Sequence, residues 1–202
     1  MPNPQQFRKC AGVLVFLMPS IGLAQAIGGP LTPLPAVPVL APQRVELGRS
    51  LFNDPRLSSN ASLACASCHR LDQGGADGHV RSLGVDGKPL PVNTPSVFNA
   101  SLNFKQFWDG RVDTLEAQIE QVVISPVEMG SDWKTVVQNL SALPAYQAAF
   151  KQAYPDGVTA ANVQNALATY ERTLLTPNSR FDQYLLGHKE ALNKDELAGY
   201  KL

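Results

Sequence analysis

Two thiols and an imidazole fall within five consecutive residues, Cys65-Ala66-Ser67-Cys68-His69, and that order of residue types allows few chemistries. Thiols three residues apart lie on one side of a helical turn. From there both can add to the two vinyl groups of one haem, and the next residue is placed to put its imidazole on the iron. A thioredoxin-like redox pair would sit in a βαβ setting, and a structural zinc site would need two further Cys or His ligands at metal spacing. Neither accompaniment is visible. The motif therefore predicts one covalently bound haem c, anchored by Cys65 and Cys68, with His69 as the proximal ligand of the iron.

The sixth coordination position of such an iron separates a carrier from a catalyst. A protein ligand there makes an electron carrier, whereas an open position admits peroxide, superoxide or oxygen. The chain has three histidines. Besides His69 these are His79, in a Gly-rich stretch, and His188, in a polar one. Met129 is the one methionine that follows the N-terminal leader. Spacing does not choose among these three and an open site.

The elements that must hold this site are helical by pattern. Val45, Leu47, Leu51 and Phe52 mark a short amphipathic helix before the turn at Asp54-Pro55. Asp113 and Glu116 resemble a capping box for a helix carrying Leu115, Ile119, Val122 and Val123. Ser131 precedes a helix with Trp133, Val136, Val137 and Leu140 on one face. Pro144 suits the first turn of the next, which continues through Tyr146, Ala149 and Phe150. Thr159 is placed to cap a longer helix whose apolar side is Val163, Ala166, Leu167, Tyr170 and Leu174. Period-two alternation is absent, so the fold class is all-α: a cytochrome c-like haem domain with long loops and additional helices. Between Leu71 and Phe98 runs a stretch rich in Gly, Asp and Pro, of a length that usually marks a functional loop.

The 202 residues carry 17 Lys+Arg against 17 Asp+Glu. A nucleic-acid binder usually shows a basic excess, so none is expected as partner. With 44% hydrophobic residues the chain can build a real core. Arg8 and Lys9, the apolar residues 10–23 and the small-residue site Ala24-Gln25-Ala26 are ordered as a secretory signal peptide over residues 1–26. The apolar run is shorter than the roughly 20 residues that span a bilayer, so export to the periplasm is expected and a stable membrane span is not. Residues 27–43, with five prolines and no charge, read as an extended arm. At the other end Asn193 and Glu196 open a last helix. Its Gly199-Tyr200-Lys201-Leu202 echoes Gly48-Arg49-Ser50-Leu51, so residues 191–202 are expected to begin a second, related unit.

Several separated motifs stand in one order: Leu57-Ser58, the Cys65 to His69 box, Gly74-Gly75, Asn93-Thr94-Pro95-Ser96-Val97-Phe98-Asn99-Ala100, Phe107-Trp108-Asp109-Gly110-Arg111, Pro126-Val127-Glu128-Met129, and Ala168-Thr169-Tyr170-Glu171-Arg172-Thr173-Leu174. Together they resemble the bacterial di-haem cytochrome c peroxidases, including the MauG-like proteins, over the N-terminal haem domain, residues 44–190. The resemblance implies that hydrogen peroxide is reduced to water at this haem. It also implies electrons from a small cytochrome or cupredoxin, passed on through a second haem domain that this sequence lacks. Carried over by position, Glu128 matches the distal acid–base carboxylate and Gln118 a distal glutamine that orients peroxide or water. Trp108 matches the tryptophan between the two haems, and Asn93 a side chain of an interdomain calcium site, which makes calcium a candidate second cofactor.

One departure bears on the iron. The well-studied peroxidases of this family carry a histidine after a Ser-x-Gly in the loop, and it fills the sixth position until the other haem is reduced. Here Ser82-Leu83-Gly84 is followed by Val85. Valine cannot ligate iron, so either the distal side is open in every redox state or His79 substitutes.

Overall fold

The computed structural model describes residues 31–202, and among these every regular element is helical. The helices are α1 (Pro42–Phe52), α2 (Cys65–Cys68), α3 (Leu115–Ile124), α4 (Trp133–Ser141), α5 (Pro144–Ala153), α6 (Ala160–Glu171), α7 (Arg180–Leu185) and α8 (Lys194–Tyr200). Among the described residues β pairing is limited to two isolated bridges, Leu83 with Pro89 and Gln106 with Val112. The all-α expectation therefore holds. The expected leader, residues 1–26, and the first residues of the arm lie outside the described residues. No helix of the described residues is long and apolar enough to cross a membrane.

α1 and α6 form the spine that carries the site. Leu47, Leu51 and Phe52 on α1 and Val163, Ala166 and Leu167 on α6 are all buried, each large one contributing about 1.5–3 kcal/mol. The two helices meet at Gly48. A Cβ there would lie 2.0 Å from the Ala166 carbonyl oxygen and 2.7 Å from Tyr170 Cβ, so only glycine permits the crossing. α3 lays Leu115, Ile119 and Val123 on the flank of α6, and Val136, Leu140 and Phe150 of α4 and α5 close the far side. Asp54 ties the exit of α1 to α5, accepting from the Arg56 backbone N–H at 2.9 Å and from the Tyr146 hydroxyl at 2.6 Å.

Three boundaries differ from the sequence expectation. α1 starts at Pro42, inside the segment read as an extended arm, because proline at a first helical position has no N–H to lose. The cap of α3 is Thr114, whose Oγ1 accepts from the Ala117 N–H at 3.1 Å. Asp113 pairs instead with Lys105, and Glu116 with Arg172. The cap of α4 is Asp132 and not Ser131, accepting from the Thr135 N–H at 2.9 Å. In both helices two neighbouring residues are competent caps. The one that serves is the one in extended backbone immediately before the first turn.

The ends of the described chain meet on α7. The Leu34 N–H donates to Asp182 Oδ1 at 2.9 Å, which fastens the arm across this helix. Asn193 and Glu196 form the capping box expected for α8. Arg180 makes a two-pronged pair with Glu196, both contacts at 2.6 Å, and Tyr200 sets its edge against Phe181 and Tyr184.

Candidate functional site

α2 is a single helical turn, and its ends are satisfied locally. The Ala64 N–H donates to Ser67 Oγ at 3.0 Å, and the His69 N–H donates to the Cys65 carbonyl at 2.9 Å. This turn places Cys65, Cys68 and His69 on the wall of one cavity of about 660 Å³, within the roughly 300–1,000 Å³ common for cofactor pockets. Both thiols are free. Burial pushes Cys65 up to about 12, with the nearby Glu171 adding to the effect, and burial also raises Cys68, so both remain protonated. His69 Nδ1 lies 3.2 Å from the Gly75 carbonyl oxygen. A carbonyl only accepts, so this contact, with the Pro95 carbonyl also near the ring, favours the tautomer that carries the proton on Nδ1 and leaves Nε2 a lone pair. Burial lowers the imidazole's pKa and favours the neutral ring, the form that ligates metal.

α3 and the turn after it supply other parts of the wall. Leu115, Ile119 and Val122 make it apolar, and Gln118 reaches it from the same helix. Glu128 follows four residues after the end of α3. Its N–H donates to the Ser125 carbonyl at 3.1 Å, and its own carbonyl accepts from the Val85 N–H at 2.9 Å. The loop and the turn are pressed together beside this bond, since a Cβ on Gly84 would lie 1.8 Å from the Val127 carbonyl oxygen. Val85 is half-buried and sits against Gly130. Burial raises the Glu128 carboxyl's pKa, opposed by the Ser125 hydroxyl and the Arg111 guanidinium. A carboxyl so placed can take up and return a proton within the cavity.

Trp108 lies at the rim, 63% exposed, and its indole N–H donates to the Asn93 carbonyl at 3.0 Å. Phe107 before it has φ +66°, rare for an aromatic residue, and the Arg111 guanidinium covers its ring at 3.3 Å. Asn93 also borders the cavity, but among the described residues no group of three or more His, Cys, Asp or Glu side chains is placed to hold a metal ion. His79 is exposed and stands away from the cavity wall. His188 is exposed after α7, 3.8 Å from Glu190. Met129 is 5% exposed, packed in the core and bordering the cavity.

Cys65, Cys68, His69, Trp108, Gln118 and Glu128 thus meet around one space, and His79 does not join them. Sequence reasoning gave no role to Glu171, which also lines the cavity and is 7% exposed. A signal was present: Glu171 stands four residues after Leu167, which puts a carboxyl on the apolar face of α6. The residues fit haem c. Two protonated thiols and a neutral imidazole with one free nitrogen share a wall, facing an apolar side of suitable size.

The model of the family described as di-haem cytochrome c peroxidase matches residues 42–190. The chain is 41% identical over 174 residues to the cytochrome c peroxidase Ccp of Escherichia coli (strain K12), covering 86% of this chain and 37% of that protein. Against the cytochrome c551 peroxidase of Nitrosomonas europaea it is 41% identical over 178 residues, covering 88% of this chain and 53% of the relative. A solved MauG-like protein associated with microbial copper homeostasis superposes with TM-score 0.74 at 28% identity, over 93% of this chain and 54% of that one. The chain spans about half, or less, of the length of these relatives.

Proposed function

The chain belongs to the di-haem cytochrome c peroxidase family, whose members bind c-type haem, and from this premise we propose that it is an exported haem peroxidase domain reducing hydrogen peroxide to water. The observation that carries the reading is that the Glu128 carboxyl and the His69 imidazole border the same cavity as the two haem-box thiols. When bound, haem iron supplies the redox chemistry of O–O cleavage. The chain's own residues do the rest. Cys65 and Cys68 anchor the group, and His69, oriented by its Nδ1–H to Gly75, offers Nε2 to the iron. The Glu128 carboxylate would take a proton from one oxygen of hydrogen peroxide and return it to the other, which leaves as water. Gln118 orients the substrate, and Leu115, Ile119 and Val122 keep bulk water away.

Electrons would come from a small periplasmic cytochrome or cupredoxin through a second haem domain, with Trp108 at the rim as the path, and Asn93 would be this chain's contribution to a calcium site completed by that domain. An electron-transfer cytochrome is the second reading, favoured by Met129 at the cavity border. Rapid mixing of the ferric haem-loaded protein with one equivalent of peroxide separates the two. A fast spectral change with loss of one peroxide per haem is expected. An unchanged spectrum and intact peroxide would leave the carrier as the better account.

A further inference from the structure

Glu171 has no part in the steps above, yet it is among the most buried acids of the described residues. It is the last residue of α6, lines the cavity and is 7% exposed, and its carboxyl makes no hydrogen bond to any described residue. The adjacent cation is engaged elsewhere: Arg172 Nη2 donates to both carboxylate oxygens of Glu116 on α3, at 2.9 and 3.0 Å. The counter-charge that reaches Glu171 is that of Arg172, which it shares with Glu116. From α2 it meets the Cys65 thiol, and from α3 the acidic Glu116. Glu46 and Arg49 of α1 are closed on each other at 2.7 Å on an exposed surface, and Lys134 of α4 is exposed. The other acids on the cavity wall have answering groups: Glu128 has Ser125 and Arg111, and Asp109 has Arg111. A carboxyl so enclosed, facing the cavity without a hydrogen-bond partner, binds a proton more tightly than a solvated one. Burial pushes Glu171 up to about 8, opposed by Arg172 and assisted by Glu116.

We propose that Glu171 is the proton acceptor that accompanies reduction of the haem held in this cavity, so that each electron entering the domain brings one proton to this carboxyl. The inference rests on the haem reading above. The step balances: a one-electron donor passes one electron to ferric iron, solvent passes one proton to the Glu171 carboxylate, and the total charge of the site is unchanged. An added electron removes a positive charge from a cavity whose wall cations, Lys105 and Arg111, are paired with Asp113 and Asp109, which raises the affinity of the Glu171 carboxylate for a proton. The coupling operates at mildly alkaline pH, between the Glu171 transition of the oxidised protein and the higher transition of the reduced protein.

The test is spectroelectrochemical titration of the covalently loaded protein between about pH 6 and pH 10. The wild-type midpoint potential is expected to fall with rising pH over a window near the Glu171 transition, with a slope approaching one proton per electron. Glu171→Gln should flatten that window, and Glu171→Asp should restore a sloping segment. The reduced-minus-oxidised infrared difference spectrum of the wild type should also gain a protonated-carboxyl band, a readout that needs no variant. A sloping window that survives in Glu171→Gln, or a wild type with neither slope nor band, overturns the inference while leaving the haem reading intact. A protein that retains no covalent haem overturns both.

Discussion

Glu128→Gln is expected to slow the reaction of the haem-loaded protein with hydrogen peroxide by about 10²–10⁴-fold. Glutamine keeps the size of the side chain and its capacity to meet Ser125, but it cannot take a proton. The loss therefore falls on proton transfer and leaves the cavity's shape in place. The spectrum of the cyanide-bound form, which reports the haem and its proximal ligand, should change little. The pH profile adds a second readout. Burial raises the Glu128 carboxyl, and the base form is the one abundant above its pKa. The wild-type rate should accordingly rise with pH through a transition above the ordinary carboxylate range, and Glu128→Gln should lack that limb. Equal rates for the two proteins would remove Glu128 from the mechanism.

The paired substitution Cys65→Ser with Cys68→Ser is expected to abolish covalent retention of haem. In the folded chain both thiols border the cavity, free and protonated. Each anchor forms when a thiol adds across a vinyl group: sulfur bonds one carbon, hydrogen goes to the other, and no oxidant is consumed. Acid–acetone extraction of the wild type should leave the pigment on the protein, whereas the double variant should release all of it. Cys68→Ser alone should retain haem through one bond. Pigment extracted from the wild type would refute the covalent site.

Much of this arrangement is readable from the chain, for physical reasons that differ by element. The haem box is local: five consecutive residues contain the anchors and the ligand, and a single turn, α2, is enough to present them. The spine is readable because α6 repeats apolar residues at helical spacing behind a Thr159 cap, and Thr159 Oγ1 does accept from the Asn162 N–H. The caps of α3 and α4 shift by one because Asp113 and Thr114, like Ser131 and Asp132, satisfy the same rule, and only the backbone path decides between them. The distal side is less legible. Glu128 reaches the cavity through a turn fastened to a loop more than forty residues earlier, by the Val85 N–H to Glu128 carbonyl bond and the Gly84 contact. Without the resemblance it would read as a solvated acid. Glu171 is least legible of all, since its isolation depends on Arg172 being held by Glu116 across two helices.

The central claim is a haem whose distal face is open, with Val85 in place of a ligating histidine and His79 away from the cavity. The most direct measurement is the optical spectrum of the ferric haem-loaded protein, recorded before and after adding cyanide with no reductant present. High-spin bands that convert promptly to a low-spin cyanide form are expected. A low-spin starting spectrum with a methionine-to-iron band, or cyanide binding that begins only after reduction, would contradict the claim and put Met129 or His79 on the iron.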